Sequence, residues 1–245
     1  MIVAIVQARL GSHRLPRKTL ALIQGKPMIG WVLERLRCAK TLDQIVVATS
    51  TAATDDDLAG WLKRKGAPYF RGNESDVLDR YYQAARSVHA ETIVRITADC
   101  PLIMPDVVDR VVRGFQERQA DYVSNTQPPT YPDGFDTEVF SFFALERAWK
   151  EARSSVEREH VTPYFYQSGF FVTRNVPAED AEDWSRVKWS VDYPEDLRLV
   201  RRIYRKLGNR AMTFDWRTIC RMCLQEAEIK RLKSGRKKKI PTPGS

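Results

Sequence analysis

The sequence predicts an α/β domain built on a mixed, mostly parallel sheet with helices on both faces. Two observations predict it: short β-rich runs alternate with longer amphipathic ones, and several of the longer segments begin with local helix-start signals. With 245 residues, 43% of them hydrophobic, the chain is long enough for one large domain or two small ones with a real core.

Taken in order, "IVAIVQ" (2–7) is the first strand, and the Gly/Ser/Pro-broken loop "QARLGSHRLPRKTL" (7–20) follows it. A helix is expected over about 27–39, with Pro27 suited to its first turn, then a strand at "QIVVATS" (44–50). Thr54 and Asp57 have capping-box-like spacing for a helix over 54–65. A helix over 76–88, a strand at "TIVRIT" (92–97) and a helix over 105–118 opened by Pro105 come next, followed by a strand at "DYVSN" (121–125). Beyond about residue 121 the texture changes. "NTQPPTYPDGFD" reads as a loop, "TEVFSF" as a strand and 143–152 as a helix, while "GFFVTRNV" and "VKWSV" read as further strands. This is an inserted or appended region that returns to the main sheet near residue 187. Helices over 195–207 and 216–229 follow, and the basic stretch 230–245 has little to bury and reads as a frayed tail.

The formal net charge of +9 would point to an anionic partner, but seven Lys and Arg lie between 230 and 239. Without those seven, 33 basic residues face 31 acidic ones, so the body of the chain is close to neutral. No apolar run approaches the ~20 residues needed to cross a bilayer, and the N-terminus lacks a basic leader, so the sequence reads as cytoplasmic. Of the four cysteines only Cys220 and Cys223 form a Cys-x-x-Cys pair, and a single pair within a helical segment favours buried thiols over zinc.

In open α/β sheets ligands sit outside the carboxyl ends of the strands. The loop after the first strand gathers Arg9, His13, Arg14, Arg17 and Lys18 around Gly11 and Ser12, a composition suited to cradling phosphate. It matches neither the Walker pattern nor the dinucleotide fingerprint, and a solvated basic loop is the competing reading. Asp99, directly after "IVRIT", and Asp192, in "WSVDYPEDL", are carboxylates where a divalent cation would bridge phosphate oxygens. Asp192 also has capping-box spacing to Glu195, with Pro194 in the first turn. A cationic loop plus two strand-end aspartates points to metal-assisted attack on a nucleotide phosphate.

The segments "QARLGSHRLPRK", "GKPMI", "VVATST", "RGNESDVLDRYYQAA", "RITADCPLI", "DYVSNT", "PDGFDTEVF", "EREHVTP" and "VDYPEDL" occur in the order found in spore coat polysaccharide biosynthesis protein F-like cytidylyltransferases. The chain resembles that family over roughly residues 1–207, and through it the acylneuraminate and 3-deoxy-manno-octulosonate cytidylyltransferases. The resemblance implies a Rossmann-like nucleotide-sugar transferase (GT-A-like) fold over 1–229, in which CTP and a small anionic acceptor give a CMP-linked product and pyrophosphate. It implies that Ala8, Arg9, Gly11 and Ser12 line the nucleotide, that Arg14 and Lys18 hold the triphosphate, and that Asp99 and Asp192 carry Mg²⁺ or Mn²⁺. Arg71, Ser75 and Asp76 would lie on the nucleoside side, with a helix cap and surface helix as the alternative.

Candidates for the acceptor are Asp133, Asp136 and Glu138 in "PDGFDTEVF", Arg158 and His160 in "EREH", and Lys188; for these a turn with an edge strand, or an exposed charged helical turn, is the competing reading. The resemblance also implies a homodimer formed through the acceptor side, about 121–187. Most relatives carry Gly immediately before the loop lysine, where this chain has Arg17; a positive φ there would strain it, and otherwise it adds a phosphate donor. Two other functions compete. A glycosyltransferase would carry Asp-x-Asp at a strand end, whereas "DDD" at 55–57 starts a helix, and a basic binding protein would act through its tail on nucleic acid or anionic lipid.

Overall fold

In the computed structural model, which describes residues 1–117, 119–179 and 183–225, seven strands form one sheet in the order β5-β4-β1-β6-β8-β7-β9. The strands are β1 (Ile2–Gln7), β4 (Gln44–Ser50), β5 (Tyr69–Gly72), β6 (Thr92–Thr97), β7 (Tyr122–Ser124), β8 (Glu138–Ser141) and β9 (Thr173–Asn175). A separate hairpin pairs β2 (Leu22–Ile23) with β3 (Lys26–Pro27). β5, β4, β1 and β6 run parallel; β8 lies antiparallel to both β6 and β7, and β9 is parallel to β7. The expected mixed, mostly parallel sheet is therefore present.

The central strand β1 shows why. Val3 and Ile5 face one side, Ala4 and Val6 the other, and all four are fully buried, so both faces need cover. On the Ala4 side lie α1 (Met28–Leu36), α2 (Asp56–Arg64) and α4 (Pro105–Glu117). On the Val3 side lie α3 (Val77–Ser87), α5 (Phe142–Glu151) and α7 (Pro163–Gln167). Each large side chain buried this way contributes roughly 1.5–3 kcal/mol. The short helix α6 (Ser155–His160) precedes α7 and is opened by a Ser154/Glu157 capping box. A third core joins α8 (Pro194–Leu207) and the helical residues 216–225 to an aromatic set in which Trp184, Phe135 and Trp216 meet edge to face. Cys220 is buried in this core.

Several sequence expectations change. "VKWSV" forms no strand: Trp189 is drawn into the aromatic core, and only an isolated bridge joins Lys188 to Asp133. "GFFVTRNV" keeps just three strand residues. Thr54 caps nothing, because residues 53–55 form a 3₁₀ turn and α2 starts at Asp56. Pro27 precedes α1 rather than opening it. The tail 230–245 and the end of the 216–229 helix lie outside the described residues.

Candidate active site

β1 and β6 are parallel neighbours, with Gln7 paired to Thr97, so the loops after them leave the sheet side by side at its carboxyl edge. The first loop is folded on itself: Ser12 N–H and Arg17 N–H both donate to the Leu10 carbonyl, at 2.9 and 3.1 Å. The Thr19 hydroxyl donates to the Arg9 carbonyl at 2.8 Å, and Leu10 N–H donates to Asp55 Oδ1 at 2.7 Å. The second loop presents Asp99. Val191 N–H donates to the Asp99 carbonyl at 2.9 Å, which fixes Asp192 beside Asp99 although the two are remote in sequence.

Lys18 closes the group. Its ammonium donates to Asp99 Oδ2 and the Val191 carbonyl, each at 2.8 Å, and to Asp192 Oδ1 at 3.2 Å. Arg14 reaches Asp192 Oδ1 at 3.1 Å and lies over the Tyr193 ring. Burial acts to raise the Asp192 pKa, but the hydrogen bonds and charges of Lys188 and Lys18 outweigh it and hold the carboxyl below its ordinary value. These groups border a cleft of about 350 Å³ whose walls also include Ala8, Arg9, Gly11, Ser12 and His160.

Asp192 does not cap α8. Asp196 takes both the Asp192 and Tyr193 N–H groups, at 2.9 and 3.0 Å, while Glu195 pairs with Arg198. The expected Asp192–Glu195 box is thus shifted by one residue, and the Asp192 carboxylate is left to the cleft.

A cytidylyltransferase family profile matches residues 3–206. The chain belongs to the cytidylyltransferase family. It is 28% identical to the spore coat polysaccharide biosynthesis protein SpsF of Bacillus subtilis, over 85% of this chain and 88% of that one. A cytidylyltransferase structure from Leptospira borgpetersenii superposes with a TM-score of 0.75 at 29% identity, covering 87% of this chain and 98% of that one. At 20% identity the fold is also shared with a CMP:2-keto-3-deoxy-manno-octonic acid synthetase complexed with CTP, with a TM-score of 0.64 over 84% of this chain and 98% of that one. The resemblance read from the motifs therefore holds, and the protein is a nucleotidyltransferase.

Not every expected residue reaches this cytidylyltransferase's cleft. Arg71 is spent on the end of β4: it donates to the Ser50 and Ala52 carbonyls at 2.8 and 3.0 Å and pairs with Asp56 at 2.7 Å. Ser75 donates to Asn73 Oδ1 in the turn before α3. Asp76 caps α3 through Asp79 N–H and holds Arg158, whose remaining reach goes to the Trp149 carbonyl. Glu138 is buried, pairs with Arg95 across the β6–β8 register and accepts from the Tyr122 hydroxyl. Lys188 lies between Asp192, at 3.0 Å, and Asp196, at 2.8 Å. These six, expected at the nucleotide or the acceptor, are engaged by the partners named and are not among the residues that line the cleft.

The loop 131–136 is tied to the segment leading to Asp192. Asp133 N–H donates to the Val187 carbonyl, and the Asp133 carbonyl accepts from Trp189 and Ser190 N–H at 2.7 and 3.0 Å. Gly134 makes that approach possible, since at φ +113° a Cβ would stand 2.8 Å from Ser190 N. Asp136 is solvent-reached and makes no side-chain hydrogen bond among the described residues, yet protein crowds it. That burial, with the charges of Asp133 and Glu138, pushes its pKa up to about 7.

Arg17 does adopt the left-handed conformation, at φ 59°. Its guanidinium pairs with Asp57 at 2.8 Å and is not among the groups that line the cleft, while Lys18 beside it lines the cleft and holds Asp99. Sequence reasoning missed Arg95 and Thr97, which also line the cleft; a charged residue inside the apolar run "IVRIT" was the available signal for Arg95.

Asp99 and Asp192 fit a divalent cation. Both carboxylates already converge on one cationic centre, the Lys18 ammonium, from the wall of an open cleft. Two carboxylates, with the remaining positions left to water and phosphate, suit Mg²⁺ or Mn²⁺, and among the described residues no group of three or more His, Cys, Asp and Glu is placed to hold a metal. No helix among the described residues is long and apolar enough to cross a membrane.

Proposed function

We propose that this cytidylyltransferase transfers CMP from CTP to an oxygen of a small anionic acceptor, a sugar acid or a phosphorylated compound, and releases pyrophosphate. The product would serve the synthesis of a surface glycan or other glycoconjugate, a reading supported by the name of the Bacillus subtilis relative. The observation that carries it is the convergence of Lys18, Arg14, Asp99 and Asp192 at the mouth of the Gly11–Ser12 loop.

The chemistry needs an acceptor oxygen in line with the departing pyrophosphate, and charge placed where the leaving group gathers its own. Lys18 and Arg14 supply fixed positive charge beside the Gly11–Ser12 turn. Ala8 and Arg9 line the nucleotide. Asp99 and Asp192 would hold the divalent cation, Mg²⁺ or Mn²⁺, which supplies further charge to the phosphate oxygens. Asp133 and Asp136 would take acceptor hydroxyl protons in hydrogen bonds, and His160 would meet the acceptor's anionic group. The enzyme would act in the cytoplasm as a homodimer through the region about 121–187, in which Phe143 and Phe170 are exposed.

Pyrophosphate release is the test, measured with each of the four nucleoside triphosphates, Mg²⁺ and a panel of sugar acids, sugar phosphates and polyol phosphates. Release with CTP alone, and only with an acceptor present, is expected. Release with UTP or ATP but not CTP overturns the base assignment, and turnover only with uncharged acceptors overturns the anionic one.

A further inference from the structure

We infer that Asp55 is a positioning residue for nucleotide binding, its buried carboxylate holding the phosphate loop in its binding shape. This rests on the CTP reading above. Asp55 begins the run Asp55-Asp56-Asp57, which resembles a metal-binding motif only on paper. In the fold, each carboxylate serves an element at the carboxyl edge of the sheet: Asp55 takes Leu10 N–H, Asp56 pairs with Arg71, and Asp57 pairs with Arg17.

Asp55 differs from the other two in burial. It is 1% exposed and forms no ion pair among the described residues, so its charge depends on hydrogen bonds. Oδ1 accepts from Leu10 N–H at 2.7 Å; Oδ2 accepts from Ser50 N–H at 3.2 Å and from the Ser50 hydroxyl. One side chain thus joins the last residue of β4 to the residue directly before Gly11 and Ser12. The Asp57–Arg17 pair is exposed on both sides, and pairs of that kind hold little.

An asparagine at 55 has a single acceptor oxygen. It can serve Leu10 or Ser50, and its amide then faces the other N–H as a second donor. A Leu10 N–H that loses its acceptor is left buried, and the Arg9–Leu10 peptide must turn to satisfy it. That rotation moves Arg9, Gly11 and Ser12, all on the cleft wall. Displacements of about 1 Å in a positioning element cost up to about 10²-fold.

Asp109 provides a matched control. It is 5% exposed and likewise accepts three hydrogen bonds, from Lys40 N–H at 3.0 Å, Thr41 N–H at 2.9 Å and the Thr41 hydroxyl at 2.7 Å. It serves the opposite end of the sheet, where Asp43 N–H meets the Ile2 carbonyl.

The experiment measures CTP affinity by calorimetry with Mg²⁺, and thermal unfolding, for the wild-type chain, Asp55→Asn, Ser50→Ala and Asp109→Asn. Asp55→Asn and Asp109→Asn should lower the unfolding temperature comparably. CTP binding should weaken by about tenfold or more in Asp55→Asn, by less in Ser50→Ala, and by no more than about twofold in Asp109→Asn. Asp55→Asn binding CTP as the wild type does, or Asp109→Asn weakening it equally, overturns the inference. If Asp55→Asn does not fold, Ser50→Ala decides, and unchanged affinity there overturns it. A wild-type chain that binds no CTP overturns the functional reading and this inference with it, whereas the variant results bear on Asp55 alone.

Discussion

The chain up to residue 117 and the chain from 119 to 191 both carry charged side chains to the carboxyl edge of the sheet, but they commit them differently. In the first stretch Lys18, Arg14 and Asp99 face the cleft while other groups hold their loops, although Arg71 and Asp76 of the same stretch are committed to the scaffold. In the second, Glu138 is spent on Arg95 and Tyr122, Arg158 on Asp76, and Lys188 on Asp192 and Asp196. A side chain stays available for a ligand when other groups hold its loop, here backbone bonds together with Thr19 and Asp55. Where elements are short, as β7, β8 and β9 are, side chains must join them and are consumed in doing so.

The strongest way to break this contrast is Asp192→Ala, expected to reduce kcat in pyrophosphate release by about 10³-fold or more with folding largely intact. If only the unfolding temperature falls, Asp192 belongs with the scaffold charges and the contrast fails at its centre. Glu138→Gln tests the other side. It takes the counter-charge from the largely covered Arg95 guanidinium and should cost about 3 kcal/mol in urea unfolding, against a small change in CTP affinity.

A smaller effect sharpens the boundary. The Asp136 pKa is raised from 3.8 to about 7 in the folded chain, so the folded state binds more protons than the unfolded state between those values. Wild-type stability should therefore fall relative to Asp136→Asn as pH rises from 3.8 to about 7, then stay level above it. Unfolding temperatures of the two proteins across that range check it, and parallel curves would show that Asp136 is an ordinary solvated carboxylate.

Legibility in the sequence follows the same division. "IVAIVQ", "QIVVATS" and "TIVRIT" announce themselves because a strand covered on both faces must be apolar in a continuous run, and the helices between them are long enough to show a periodic face. Tyr69–Gly72 did not register, being four residues in which Arg71 interrupts the pattern to hold a neighbouring turn. "VKWSV" has strand composition but is claimed by aromatic packing that only the folded chain brings together. Within the site, Lys18, Asp99 and Asp192 were readable as residue types at strand ends. Asp55 was not, because a buried carboxylate that accepts backbone N–H groups looks in sequence like any helix-start aspartate.

The hydrogen bond from Val191 N–H to the Asp99 carbonyl also sets a schedule for the growing chain. Asp99 and the loop of Lys18 are made early, but their partner is synthesised only after the region 119–191 has emerged, and contacts so distant in sequence close late. A nascent chain can hold the parallel strands β4, β1 and β6 well before it holds Asp192, so under the proposed function a shortened product ending before Asp192 is expected not to consume nucleotide.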